Sequence, residues 1–403
     1  GLTSGLLFGL SSCSLNYDPI DTYSDVTEGV TDTGTKVVFK DKAAVESHLT
    51  TIYNQMRDRQ EHWYVDLLLI SDSHADNAYA GTTGAEVLPF ENNSIEGSNS
   101  VLERDWNRYL EDVARANKLI CNIDLVTDNS LTTAERAQYK AEAMIFRAMV
   151  MFDMVRLWGN FPVITTVGGD ITEDNVEEMY PTYFPPQNTA EEAYAQIEKD
   201  LTEAVENPNT PTNDTSDKSI LTKSVARAML AKVYAEKPLR DYAKVIKYAD
   251  ELAADGFDLV EDFSDLWAYD TEKKDCRVRN TKEAILEAHF PPGSGNWCTW
   301  MFGRNLSNWD ESFTWAKWIT PSRDLIRLYE EQGDTKRYNE SVVWYDCGWS
   351  NYYPADHYAF MYKCRSAFNS IIYLRYADIL LLKAEAKIMG EAPDLNGAAD
   401  IID

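Results

Sequence analysis

Histidine is scarce in this 403-residue chain, and its five copies, His48, His62, His74, His289 and His357, fall in no H-E-x-x-H arrangement. Cysteine offers no better foothold for a metal. Cys13, Cys121, Cys276, Cys298, Cys347 and Cys364 include no C-x-x-C pair, and none sits beside a pair of histidines. Also missing are a G-x-S-x-G nucleophile elbow, a G-x-x-x-x-G-K-[ST] phosphate loop and a G-x-G-x-x-G dinucleotide fingerprint. The expectation is therefore a protein with no catalytic residues, no metal and no cofactor. Positive charge is short as well: 38 basic residues face 66 acidic ones, a formal net charge of -28. Such a field repels phosphate backbones and anionic lipid surfaces, which excludes nucleic acid as a partner. No segment reaches the ~18 consecutive apolar residues that mark a membrane-spanning helix.

What is present is enough apolar residue, 44%, to bury a large core. There are also 11 Trp and 23 Tyr, and eight of the Trp fall between Trp267 and Trp349. Each indole N–H needs a partner when buried, so this density exceeds what one core demands, and some rings are expected to face a ligand. Cys121 lies in a helical pattern and reads as a small buried hydrophobe. Cys276, Cys298, Cys347 and Cys364 can pair only in an oxidising compartment, and spacing leaves that open.

The N-terminus reads as an address. Leu2 to Leu10 form a short apolar run ending in Leu10-Ser11-Ser12-Cys13, after which Asn16, Asp18 and Asp21 make the chain polar. Leu, two small residues and Cys resemble the bacterial lipobox. Cys13 is then the residue that takes the lipid, residues 1–13 are a signal-peptide remnant, and 14–403 form one domain. The absence of an initiator Met and a basic n-region implies that the chain begins within that signal peptide.

Along the domain, apolar residues recur at helical spacing over Lys42–Arg59, then from about Val101 to Asn122, and from Thr132 to Trp158 behind a Thr132-x-x-Glu135 capping box. The third of these is apolar nearly all round and is expected to be central. Between the first two, a stretch through Asp72, Asp76, Gly81, Pro89 and Gly97 reads as a long loop. Further helices are expected at Thr189–Glu206 and on either side of Lys237-Pro238-Leu239, a hairpin of about 34 residues in tetratricopeptide style. Periodicity fades from Gly256 to Asn369, where Ala284–Phe290 reads as a strand or short buried segment. Helical pattern resumes at Ser370 and runs through Ile371–Leu382 to Ile388. The reading is a mainly α fold: a scaffold of helical hairpins over about 40–255 and 370–403 around a loop-rich aromatic ligand region over about 256–369.

Three stretches carry a family resemblance. Ala141-Glu142-Ala143-Met144-Ile145-Phe146-Arg147-Ala148, running on to Leu157-Trp158-Gly159-Asn160-Phe161-Pro162, and Leu374-Arg375-Tyr376-Ala377-Asp378 with Ala384-Glu385-Ala386, resemble two helices of the SusD/RagB outer-membrane lipoproteins of the Bacteroidetes. Thr281–Glu287 resembles the segment opening their variable region, and Pro321–Arg337 the helix that follows. The resemblance implies tetratricopeptide-like hairpins and a surface lipoprotein of the outer membrane. It also implies docking on a SusC-like TonB-dependent transporter, and loops that bind oligosaccharides or, in RagB-type members, peptides. It implies no chemistry; the enzyme alternative is a glycoside hydrolase of the same uptake system. Family members continue beyond the position of Asp403, which would leave a final repeat outside this chain.

Glu142, Arg147, Arg375 and Asp378 read as fold signatures, with Arg375 and Asp378 three apart on one helix face and able to pair. Ser71–Tyr79 gathers acidic, amide and aromatic groups; Asp72 and Asp76 could hold calcium but lack EF-hand spacing, and turn capping is their commoner use. A pyranose presents a C–H patch and a rim of hydroxyls, so its receptor is a flat ring flanked by polar groups. The expected site joins Asp76, Asn77 and Tyr79 to Trp297, Trp300, Trp309, Trp315 and Trp318, which lie among Gly, Asn and Asp. The anchor generates a direct test: in the native host, Cys13→Ala should shift the protein from membrane to soluble fractions, and unchanged fractionation would count against lipidation at Cys13.

Overall fold

The computed structural model describes residues 37–81, 86–169, 171, 173–270, 272–273, 275–290, 295–301, 318–363 and 365–403. Cys13 and the signal remnant lie outside them. Helix α1 (Lys42–Asp58) starts where the Asp41 carboxylate accepts from Ala44 N at 2.9 Å, and buries Val45, Leu49, Ile52 and Met56 at helical spacing. A π-helical turn, Glu61–Val65, runs straight into α2 (Asp66–His74). The long loop expected here thus begins only at Ala75. Val65 and Leu69 are buried against Phe290 and Ile319, a contact too distant in sequence for local pattern to reveal. Strand β1 (Ala78–Ala80) and the single turn α3 (Leu88–Glu91) follow.

Next come α4 (Ser100–Asn122), capped by Asn99, and α5 (Thr133–Trp158), whose Thr132–Glu135 capping box is formed. Every residue of α5 from Ala141 to Phe152 is buried, and Gly159 ends the helix at φ 71, a conformation open to glycine. Helix α6 (Val176–Tyr183) lies in the connection to α7 (Ala190–Glu206), which opens with a second capping box, Thr189–Glu192. Helices α8 (Lys223–Ala235) and α9 (Tyr242–Ala254) form the expected hairpin about Lys237–Leu239.

The region after α9 holds short elements: β2 (Tyr269–Asp270), β3 (Asp275–Cys276), β4 (Ala284–Ala288), α10 (Cys298–Met301), β5 (Ile319–Pro321), α11 (Arg323–Gln332), α12 (Thr335–Ser341), β6 (Val342–Tyr345), β7 (Tyr358–Met361) and β8 (Ile371–Arg375). All the strand pairings are antiparallel: β1 with β5, β2 with β3, β4 with β8 and β6 with β7. The chain then enters α13 (Tyr376–Met389) and α14 (Leu395–Ile402). Helices pack in the order α1, α4, α5, α7, α8, α9, α13, α14, so α13 lies on α9 as the next repeat would. Residues 256–369 are therefore looped out of a continuous helical stack, and one apolar cluster extends from α1 to α13.

Three expectations are corrected. Ile371–Arg375 is a strand, not the start of a helix: its apolar run satisfies either pattern, and pairing with the fully buried β4 decides. Arg375 and Asp378 consequently do not pair. Arg375, at the end of β8, holds Glu283 at 3.1 Å, while Asp378, in the first turn of α13, meets Lys232. Cys121 is exposed, its Sγ 3.5 Å from Thr165 O, because it falls on the outer face of α4. Cys276 and Cys347 are half-buried, Cys298 is buried, and Cys364 lies outside the described residues.

The charged residues of α5 have the partners a dry core requires. Arg147 donates to Asp200 through Nε (2.8 Å) and Nη2 (2.7 Å), and through Nη1 to Asn117 Oδ1 at 2.7 Å. Glu142 accepts from Tyr53 and Gln138. A second polar cluster lies under the π turn. Asp112 takes His62 Nε2 at 2.7 Å and Trp63 Nε1 at 2.9 Å, Arg108 pairs with Glu61, and Arg104 reaches both Asp66 and Asp105. Burial pushes the Asp105 carboxyl far above the usual carboxylate range, and the adjacent Asp66 adds to the shift, against the pull of Arg104.

Two outcomes follow. Arg147→Met leaves Asp200 buried with Gln196 as its remaining side-chain donor, at 2.9 Å. Urea unfolding should show a loss of about 3–5 kcal/mol, most of it recovered in Arg147→Met/Asp200→Leu. Asp105 keeps in the fold a proton that the unfolded chain releases above about pH 4, so it makes stability fall as pH rises from there through its raised folded pKa. Asp105→Asn keeps a donor to Asp66 without titrating, and should flatten the decline of melting temperature between about pH 5 and 9. An unchanged slope would exclude Asp105 as its source.

Candidate ligand-binding site

Pairing of β1 with β5 joins segments some 240 residues apart. Ala78 faces Pro321, Tyr79 faces Thr320 and Ala80 faces Ile319. The ribbon is extended at both ends, by Gly81 N on Trp318 O at 2.8 Å and by Ser322 N on Asn77 O at 3.0 Å. Ser322 Oγ also donates to Asp76 O at 2.6 Å. Asp76 sits at φ 60, a left-handed conformation that Asp tolerates better than most side chains, and this turns the chain from α2 into β1.

The turn of α10 is tied to the same ribbon: Trp318 N donates to Met301 O at 2.9 Å, and Met301 N to Trp297 O at 2.8 Å. Trp297 N in turn donates to the buried Gln60 at 2.7 Å. Asp76 and Asn77 thus lie at the Ser322 end of the ribbon, with Tyr79 between the ends, while Trp318, and through Met301 also Trp297, are tied to its opposite end at Gly81. Trp300 belongs to α10 by position, while Trp309 and Trp315 lie outside the described residues. Asp76 and Asn77 are exposed, and Trp297 keeps 37% of its surface in solvent. Trp318 is half-buried and packs on the apolar cluster beneath the ribbon, which makes it a support.

Tyr79 does not stand alone. Its ring stacks on Tyr352 at 4.6 Å and 9°, and its hydroxyl accepts from Arg323 N at 3.1 Å. The Arg323 guanidinium lies 4.6 Å from the Tyr353 ring centre and 5.9 Å from that of Tyr79. Tyr352 Oη donates to Ala80 O at 2.6 Å and lies 3.0 Å from Glu91 Oε2, which also accepts from Ala80 N at 2.7 Å. Burial, with Glu91 beside it, raises the Tyr352 phenol far above its ordinary value, so it stays a donor. Exposed Asn351 donates to Gly81 O. Tyr352, Tyr353, Arg323 and Asn351 were not singled out in the sequence; the run Asn351-Tyr352-Tyr353-Pro354 was the available signal, since adjacent tyrosines beside a turn proline present rings on both sides of the chain.

Several tryptophans serve packing instead. Trp344 donates to Tyr338 Oη at 2.8 Å and stacks on His357 at 4.3 Å, and with Trp349 it covers a small cluster around Tyr358 and Phe360. Trp267 packs on Phe263, with Lys363 5.1 Å from its ring centre. Asp72 lies in the last turn of α2; burial raises its carboxyl pKa, and a hydrogen bond from Asn77 opposes the shift. Its backbone carbonyl also accepts from Asn77 N at 3.1 Å, closing the turn after the helix. Among the described residues, no group of three His, Cys, Asp or Glu side chains is placed to hold a metal ion, and no helix is long and apolar enough to cross a membrane. What the site offers is exposed amide and carboxylate groups beside aromatic rings on a short, cross-linked ribbon.

Known proteins extend this picture. Residues 26–235, more than half of the chain, match a SusD-like family described as "Starch-binding associating with outer membrane". A SusD-like protein of Bacteroides ovatus is 26% identical over 306 residues, 73% of this chain and 50% of that protein, so the chain spans about half the length of this curated relative. Among solved structures, a laminarin-binding SusD-like protein superposes with a TM-score of 0.67 at 19% identity, covering 90% of this chain and 84% of its own. Surface glycan-binding protein A from Bacteroides fluxus gives 0.68 at 21%, covering 90% and 81%. The Bacteroides thetaiotaomicron protein of that name, solved with laminarihexaose, gives 0.68 at 16%, covering 90% and 82%. At such identities the superpositions establish the fold, and together with the match over residues 26–235 they place the chain in the SusD-like family.

Proposed function

We propose that this protein is a surface lipoprotein that captures oligosaccharides and hands them to a SusC-like TonB-dependent transporter of the outer membrane, held there by a lipid on Cys13. The observation that supports the binding half is the placing of exposed Asp76 and Asn77 at one end of the β1–β5 ribbon, beside the stacked rings of Tyr79 and Tyr352, with the exposed indole of Trp297 tethered to the other end. Carboxylate and carboxamide groups match vicinal hydroxyls, and an exposed indole matches the C–H face of a pyranose. The family description and the relatives solved with, or named for, laminarin support a glycan as the ligand class. Residues 256–369 act in this reading as the ligand region, and the helical stack as the docking body. The protein binds and does not cleave.

Calorimetric titration against a glycan panel that includes laminarihexaose and starch oligosaccharides tests it. Replacing a platform ring, through Trp297→Ala, Trp300→Ala, Trp309→Ala or Trp315→Ala, should weaken binding by about 1–3 kcal/mol, by analogy with bases stacked on aromatic side chains. Asn77→Ala should also weaken it. Trp318→Ala should instead lower thermal stability by a few kcal/mol, because its ring packs on the cluster under the ribbon. If every variant that still folds binds as the parent does, the site is misplaced. Binding of oligopeptides and of no glycan would overturn the ligand class, and release of reducing ends by the pure protein would overturn the non-catalytic reading.

A further inference from the structure

A cleft of about 320 Å³ opens where the last turn of α1 meets the end of β4 and the turn ahead of α8, with Tyr53, Asn54, Arg57, Ile220, Ala288 and His289 among its walls. None of these residues belongs to the ribbon site. Its volume is at the low end of the ~300–1,000 Å³ range of small-molecule sites, which suits a short ligand and not a long chain.

The polar groups in its walls are held in place. Arg57 donates through Nε to Asp58 Oδ1 at 2.7 Å, and through Nη2 to Asp58 Oδ2 at 2.9 Å and Asn54 Oδ1 at 3.1 Å. The bonds of Asn54 and Arg57 therefore engage the Asn54 oxygen and leave its carboxamide N–H groups, with Arg57 Nη1, as donors. His289 Nε2 lies 2.7 Å from Glu287 Oε1, an oxygen that also accepts from Asn280 N at 3.0 Å, and Glu287 is buried. A carboxylate only accepts, so Nε2 carries the proton and Nδ1 is the acceptor of the neutral ring. Tyr53, Ile220 and Ala288 supply apolar surface between these groups.

Charge selects the ligand class. Asp58 pairs with Arg57, and the charge of buried Glu287 is met by Lys218, so the cleft carries no surplus for an anion or a cation. Fixed donors and an acceptor beside apolar surface, without net charge, match a neutral polyhydroxylated ring. We propose that this cleft is a second saccharide site, taking one neutral sugar residue or a disaccharide independently of the ribbon. The inference rests on the glycan-binding reading above.

The test uses saturation-transfer NMR and calorimetry on the soluble protein. The probes are glucose, galactose, mannose, xylose, N-acetylglucosamine and their β-linked disaccharides. At least one should bind the parent. Asn54→Ala, on a half-buried side chain, and Ile220→Trp, which fills the cleft, should each weaken it about tenfold or more. Oligosaccharide binding that Asn77→Ala weakens should persist in both variants. Equal binding of the small sugar by parent, Asn54→Ala and Ile220→Trp overturns the second site, as does its loss in Asn77→Ala alone. Binding of oligosaccharides without any mono- or disaccharide overturns the cleft and leaves the ribbon reading standing. Binding of no saccharide of any length overturns both.

Discussion

Arg147 reaches two neighbouring helices from the buried middle of α5. Its two bonds to Asp200 and one to Asn117 tie α5 to α7 and α4, and Asn117 carries the link onward by donating to Ile164 O at 2.9 Å in the connection after α5. Arg147 and Asp200 are almost wholly out of solvent, so neither charge has water to fall back on. An apolar replacement could be as stable, but it would not fix the rotation of α5, a helix that is apolar nearly all round and could otherwise seat several faces inward. A unique register for α5 then sets where α1 and α8 dock, and through α8 the platform on which α13 resumes the stack.

Resuming the stack is what makes a large insertion tolerable. The ends of residues 256–369 are brought together by contact of α9 with α13, and the β4–β8 ribbon closes the base of the loop. Closure entropy grows only slowly with loop length, so the scaffold can carry a long irregular segment at modest cost once its ends are held. Buried Glu283 and Glu287 secure that base. Glu283 accepts from Val260 N at 3.0 Å and from Arg375 at 3.1 Å, and Glu287 takes Asn280 N.

The scaffold was readable because its signals are local. Thr132 with Glu135, the periodicity of α1, α7, α8 and α9, and Gly159 each act within a turn or two of their own position. What misled was non-local. Ile371–Arg375 fits a buried strand and a buried helix equally, and only Ala284–Ala288, some 85 residues away, decides between them. Arg375 found Glu283 for the same reason. At the site, Asp76, Asn77 and Tyr79 were legible as a polar-aromatic turn, but composition could not show that Trp318 and Trp297 attach to the other end of the ribbon. The stacking of Tyr79 on Tyr352 was not, because nothing near either residue encodes the other.

A two-stranded ribbon three residues long is marginal by itself, so the rigidity of the site has to come from what crosses it. Tyr352 bonds to Ala80 O, Glu91 bonds to Ala80 N and Tyr352, Asn351 bonds to Gly81 O, and Ser322 Oγ bonds to Asp76 O. These links come from segments on both sides of the ribbon, and each spares a ligand the entropy of ordering the turn itself. Asp76 and Asn77, at the open end, are then presented on backbone that is already fixed, while their side chains stay in water. Pre-organised backbone under solvated polar groups suits repeated capture and release: little is lost on binding, and the exposed rim desolvates only partly. The described ends of the tryptophan-rich sequence, Met301 and Trp318, meet each other at the opposite end of the same ribbon, beside Gly81.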